Sequence, residues 1–244
     1  MYDPHAALEA IDSHTLSILL FYAVAVLAGF VYFIEAIRLT ISQKVYAVPL
    51  ATAIFIFAHD LSFLVYYDKW FNQYGHWWCK AWWFVLLITV PLEMLLIYFV
   101  ARYGRAETFP FLKQKGFTVL VILATVGLSV FWLLVKDAIN DELYFVSFAV
   151  TVFSPLPFST ALMIRRQSRQ GQSVLMQLTQ IPQALALLAA YSFIDSYFYS
   201  PIFISFILVI VTWACVNIWL LRRLPENSPG ASDLAGHGSY SQTG

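Results

Sequence analysis

Apolar residues fall in seven runs of about 20, separated by short polar breaks, over approximately residues 16–37, 45–67, 81–103, 116–136, 143–164, 174–194 and 201–222. At ~1.5 Å per residue, a helix of that length crosses the ~30 Å of bilayer hydrocarbon. The pattern therefore predicts an all-α polytopic membrane protein, a bundle of seven transmembrane helices. Residues 1–15 read as a short external N-terminal segment and 16–224 as the seven-helix transmembrane domain. Residues 225–244, rich in Gly, Ser and Pro, read as a disordered cytoplasmic tail.

Composition agrees with lipid as the main solvent, since 60% of residues are apolar and 11% charged, against ~45–50% and ~25% in soluble domains. The bilayer is thus the expected partner, and a formal net charge of zero gives no basic surface for nucleic acid. Of 14 Lys and Arg, only Lys69, Lys80 and Lys136 lie on the side of the first run's start. The positive-inside rule then puts the N-terminus outside and the C-terminus in the cytoplasm. The first 15 residues hold Asp3, Glu9 and Asp12 but no Lys or Arg, the reverse of a secretory leader, so no cleaved signal is expected. Cys79 and Cys215 lie far apart along the pattern and suggest neither a disulfide framework nor zinc. The pattern specifies no oligomeric state.

Four acids fall in or at the ends of the apolar runs: Glu35, Asp60, Glu93 and Asp195. A charge near mid-bilayer costs ~2.5–3.5 kcal/mol on insertion scales, so such residues normally face a bundle interior and mark function. Glu35 has Arg38 three residues on, a spacing that suits a structural ion pair. Asp60 has no basic residue nearby on its own run, and Glu93 follows Pro91, which weakens the backbone ladder and opens room for a cavity. At least one of Asp60 and Glu93 is expected to be protonated, and a buried carboxylic acid is a proton donor. His59 is either a core histidine or a group that tunes Asp60. Asp195 is either an interfacial acid or the end of an interior stripe that includes Tyr191 and Gln177, with Gln180 beside it.

The aromatic residues between Tyr66 and Trp83 read as an interfacial belt or as a lid over a cavity. Trp82 is the best lid candidate, because it shares a helical stripe with Thr89 and Glu93. No lysine in the last run offers a Schiff-base anchor, no ligand spacing suggests a metal, and no phosphate loop or nucleophile elbow occurs.

The segment Tyr32–Gly104 resembles the small integral-membrane terpene cyclases of fungal meroterpenoid and indole-diterpene synthesis and their bacterial relatives. In that family a Pro-Leu start and an Asn-x-x-Trp-Glu motif precede a helix with Trp, a mid-membrane acid and a Tyr-Gly end. Here Val48-Pro49-Leu50 leads to Phe57-Ala58-His59-Asp60, and Trp82-Trp83 precedes Glu93 and Tyr103-Gly104. His59 and Asp60 stand where the motif has Trp and Glu. The resemblance implies protonation-initiated carbocation chemistry on a lipophilic isoprenoid, without a cofactor or metal. Asp60 would be the donor, His59 its tuning partner, Glu93 a second acid or cation stabiliser and Asp195 the terminal base. Phe57, Phe63, Trp82, Thr89, Gln177, Gln180 and Tyr191 would bind substrate.

Gln180-Ile181-Pro182-Gln183 and the basic stretch after Pro155-Leu156-Pro157 also resemble PQ-loop transporters, which implies small-solute transport as the alternative. That fold is built from repeats, yet neither Pro49 nor Pro91 is followed by Gln.

Overall fold

The computed structural model describes residues 2–226. Most of the expected tail, from residue 227 on, lies outside the described residues. The elements are α1 (Pro4–Ser13), α2 (Thr15–Gln43), α3 (Leu50–Val65), a π-helical turn (Lys69–Gln73), α4 (Trp77–Tyr103), α5 (Arg105–Thr108), α6 (Gln114–Ala138), α7 (Phe145–Phe153), α8 (Pro155–Arg166), α9 (Val174–Ser192), a 3-10 turn (Ser196–Tyr199) and α10 (Pro201–Arg223). Among the described residues there is no strand.

Among the described residues six stretches are long and apolar enough to cross a membrane: α2, α4, α6, α7 with α8, α9 and α10. The apolar run at 45–67 becomes the shorter α3, whose 16 residues rise about 24 Å, less than the ~30 Å of hydrocarbon. Pro49 at its start and the π turn after Val65 are what shorten it. Large apolar side chains such as Leu16, Ile34, Leu134 and Ile202 point outward, as lipid contact requires and water would not favour.

Local chemistry sets the helix ends. Ser173 Oγ accepts the Met176 N–H at 3.2 Å to cap α9, and Pro201 opens α10 behind the Ser200 cap, where a missing N–H costs nothing. Pro155 separates α7 from α8, because it has no N–H for the Thr151 carbonyl. Ser154 Oγ donates to that carbonyl instead, at 3.0 Å, and Thr52 Oγ1 donates to the Ser154 carbonyl at 3.2 Å.

The N-terminal segment read as a short external stretch contains a helix. Asp3 caps it by accepting the Ala6 N–H at 2.8 Å, and Ala7, Leu8 and Ile11 bury one face against the bundle. Tyr2 anchors its start: the phenol donates to Asp141 Oδ1 at 2.6 Å and accepts the Leu143 N–H at 2.8 Å. Asp141, fully buried, also accepts the Ser147 N–H at 2.6 Å.

The helices form two groups. In one, α9 lies between α2 and α10; in the other, α3 lies against α4 and α6; α7 and α8 join them. Between the groups α2 and α4 barely touch, and this seam contains the candidate site. At the α1 end the core is aromatic, with Phe63, Trp70, Tyr144, Phe145, Tyr191 and Phe198 fully enclosed. Several residues of the aromatic stretch are therefore core rather than interface: Trp70 stacks on Phe63 at 4.1 Å and donates its indole N–H to the Phe63 carbonyl at 2.6 Å. At the other end, Glu107 of α5 bonds both Arg165 and Arg166 of α8, and Arg165 also reaches the Tyr46 hydroxyl.

Candidate functional site

Residues 59 and 60 are neighbours on α3, so their side chains leave the helix about 100° apart. Asp60 faces α4 and the seam, while His59 turns toward α6 and α7, where its ring meets Trp132, Tyr144 and Phe148. His59 Nδ1 still reaches back to Asp60 Oδ1 at 2.6 Å. Across the seam, Thr89 Oγ1 of α4 lies 2.5 Å from Asp60 Oδ2. Both Asp60 oxygens are thus held, and the carboxyl has one defined orientation.

Glu93 follows Thr89 by one helical turn, fully buried, and stands close to Asp60 and Thr89. Neither of its oxygens completes a hydrogen bond of normal geometry among the described residues. Two buried carboxyls therefore stand side by side, one firmly held and one with unmet hydrogen-bonding capacity.

A cleft opens over this pair. Val26, Gly29, Phe30, Tyr32 and Phe33 of α2 form one wall, Trp82, Val85, Leu86, Thr89 and Glu93 of α4 the other; Ile56 and Asp60 of α3, Phe148, Thr151 and Val152 of α7, Pro155, and Gln180 and Gln183 of α9 complete it. Its unfilled space, mouth included, is about 600 Å³, of which about 70 Å³ admits the centre of a water molecule. This is a narrow apolar slot. Trp82, stacked against Trp78 with 6.0 Å between centroids, sits at the α1 end. The other end is more polar: the Tyr32 hydroxyl and Gln180 Oε1 are buried without a hydrogen-bond partner among the described residues.

Of the residues singled out from sequence, Asp60, Glu93, Trp82, Thr89 and Gln180 line the cleft, and His59 touches it through Asp60. The others lie elsewhere. Asp195 caps the 3-10 turn by accepting the Tyr197 N–H at 2.7 Å, a role set by an extended backbone before Ser196. Phe63 is held in the stack on Trp70, Tyr191 packs among Phe145, Phe198 and Phe203, and half-buried Phe57 lies outside the cleft lining. Gln177 Oε1 accepts from Asn217 at 2.9 Å, and its amide donates to Gln172 at 3.1 Å. Of the three acids expected to share one site, Asp60, Glu93 and Asp195, the structure brings together Asp60 and Glu93. Glu35 bonds Arg38 at 2.7 and 2.8 Å, a bidentate pair within one helix.

Tyr32, Gln183 and Tyr144 were not among the sequence candidates. Tyr32 precedes Glu35 by three residues on an otherwise apolar helix, and Gln183 completes an i, i+3, i+6 series with Gln177 and Gln180, the signal that could have found it. Tyr144 carries none, because a left-handed backbone (φ 64°) at the start of α7 turns it inward. Among the described residues no group of three His, Cys, Asp or Glu is arranged to hold a metal ion. Comparison with known protein families, with curated proteins and with solved structures finds no match to this chain.

Proposed function

We propose that this protein is a membrane-embedded cyclase or isomerase that protonates a lipophilic isoprenoid at Asp60 and guides the resulting carbocation. The observation that carries the reading is a doubly held Asp60 beside Glu93 at the wall of a narrow, largely apolar cleft. The Thr89 hydroxyl has one proton and lies 2.5 Å from Asp60 Oδ2 and 3.2 Å from the Leu86 carbonyl, with Glu93 close by. A hydroxyl donates once and accepts twice. In this reading that proton goes to the Leu86 carbonyl and Asp60, as the carboxylic acid, donates from Oδ2 to Thr89.

Substrate would enter sideways from lipid, along the half-buried seam of Val26, Gly29, Phe30 and Val85. Asp60 would transfer its proton to an epoxide oxygen or a terminal alkene. Trp82, Phe148 and Phe33 offer ring faces to the cation, each contributing ~0.5–2 kcal/mol, and Glu93 would take up the final proton. The unpartnered Tyr32 hydroxyl and Gln180 carbonyl suit a polar head that accepts one hydrogen bond and donates another. We further propose seven crossings, with α3 extended by the buried Tyr46–Val48 segment and the π turn, and an external N-terminus, as the Lys and Arg distribution favours.

The test is chromatography with mass spectrometry on membranes carrying wild type or Asp60→Asn, incubated with prenylated epoxides and plain polyprenyl compounds. A product of unchanged mass, absent with Asp60→Asn, supports the reading; no product across the panel removes it. One observation favours transport as a second reading: Gln183, Gln180 and Gln177 run down one face of α9 to Gln172, which borders a polar recess at the Arg169 end. Solute uptake into proteoliposomes, lost with Gln180→Leu, would support that alternative.

A further inference from the structure

Behind Asp60, on the side of α3 away from the cleft, neighbouring buried rings carry three polar atoms without hydrogen-bond partners of normal geometry among the described residues: His59 Nε2, Trp132 Nε1 and the Tyr144 hydroxyl, the last beside Ser62. Their rings touch, with 5.3 Å between the centroids of His59 and Tyr144 and 6.2 Å between those of His59 and Trp132. An acceptor, a donor and a hydroxyl on adjoining buried rings supply the kind of partners an internal water bonds, since such waters typically make about three hydrogen bonds. The grouping also continues outward. Lys136 lies one turn beyond Trp132 on α6, its ammonium 4.9 Å from the Tyr144 ring centroid and 5.5 Å from that of half-exposed Tyr66. It is 3.4 Å from exposed Asp137.

We propose that His59, Tyr144 and Lys136 form a proton relay that loads Asp60 from the aqueous face at the α1 end, by a route separate from the lipid-facing substrate cleft. In the loading direction the Lys136 ammonium gives up one proton and regains one from a hydronium on its Asp137 side, while the Tyr144 hydroxyl accepts one on its outer side and releases one on its inner side. The bridging water passes a proton to His59 Nε2 as the Nδ1–H bond breaks and its proton joins the Asp60 carboxylate. One N–H bond forms and one breaks, the imidazole changes tautomer without net charge, and the sum is one proton moved from water to Asp60. The reset passes through Glu93: the proton it takes from the product cation moves to Asp60, the relay carries one proton outward from Asp60 to water, and His59 returns to the Nδ1–H tautomer. Separation matters because a cleft full of apolar substrate excludes the water that would otherwise reprotonate the acid. His59 and Tyr144 are therefore positioning and relay groups that never touch substrate.

This inference rests on Asp60 being the protonated donor, and its test needs no substrate, so the two can fail independently. The carboxylic C=O stretch of the purified full chain in lipid nanodiscs is followed by infrared spectroscopy after a switch to D₂O, the Asp60 band being assigned by its loss in Asp60→Asn. The expected result is that Tyr144→Phe slows the deuterium shift of that band at least tenfold with an unchanged melting midpoint. Trp132→Phe, which removes the N–H together with part of the ring volume, slows it less. If Tyr144→Phe does not fold, Lys136→Met replaces it with the same expected slowing. Exchange as fast as wild type in the folded relay variants overturns the proposal, as does the absence of any band that Asp60→Asn removes. A turnover lost in Asp60→Asn alongside unaltered exchange in Tyr144→Phe leaves the cyclase reading standing and ends the relay.

Discussion

Thr89 Oγ1 lies 2.5 Å from Asp60 Oδ2, so a hydroxyl on α4 fixes the orientation of a carboxyl on α3 across the seam between them. Thr89→Val keeps the shape and removes the hydrogen bond. Asp60 would retain His59 on one oxygen but gain rotational freedom on the other, and imperfect placement of a proton donor reduces the rate rather than abolishing it. The expected outcome is a turnover loss of roughly 10- to 100-fold with KM little changed, whereas Thr89→Ser retains most activity. Equal losses in both variants would show that the methyl group, not the hydroxyl, matters.

Gly29 governs the width of the cleft. A Cβ built there would stand 3.3 Å from Gln183 Nε2, so an alanine pushes that amide by a few tenths of an ångström and a leucine fills the seam beside Phe30. Gly29→Ala is expected to raise KM several-fold for the longest chains accepted and to leave short ones unaffected. Gly29→Leu abolishes turnover while the protein still folds, since α2 remains anchored along α9. A chain-length series of one substrate class, assayed on both variants, checks this, and a length-independent effect would place the substrate elsewhere.

How far the chain announced this arrangement depends on the kind of signal. Spanning helices follow from runs of apolar residues, a period-independent property, and six of the seven runs became helices or helix pairs of full length. Asp60 and Glu93 stood out because an unpaired acid in an apolar run is costly, and the 7- and 11-residue offsets from Trp82 placed Thr89 and Glu93 on one stripe. Asp195 misled because it lies just beyond its helix, where whether an acid faces inward or caps the next turn depends on one backbone angle. Tyr191 and Gln177 do share a face of α9, but that helix is buried against α2 and α10, so one stripe meets different neighbours at each level. Asp141 escaped notice in a short polar break, where an acid carries no cost, and only the packing of α1 buries it.

Glu107 gives a pH dependence of stability outside the membrane segments. Burial opposes its ionisation, but Arg166 and Arg165 outweigh that and hold its carboxyl below the ordinary glutamate value. A depressed folded-state value means the unfolded chain binds the proton more readily, so the stabilisation is fully present above the unfolded value, about 4.3, and is lost as pH falls through the folded one. Wild type in detergent should therefore melt higher than Glu107→Gln at pH 7, by a few degrees, with the gap closing below roughly pH 4.5. A gap that stays constant down to pH 3 would show that the glutamine's shape rather than the charge is responsible.

Tyr2 should hold α1 to the bundle through Asp141. Tyr2→Phe removes the donor to Asp141 Oδ1 and the acceptor for the Leu143 N–H together, leaving buried groups unsatisfied at a cost of about 1–3 kcal/mol each. Asp141 keeps the Ser147 N–H, so α7 stays capped and the damage is local to the α1 end. The expected result is a lowered melting midpoint and faster amide exchange over Asp3–Ser13, with turnover per folded molecule unchanged, because neither residue lines the cleft. Asp141→Asn is the sharper variant: it weakens the same phenol contact and the α7 cap at once, so it should destabilise more than Tyr2→Phe. If the two are equal, the cap at Ser147 contributes nothing and α7 is held by its aromatic packing alone.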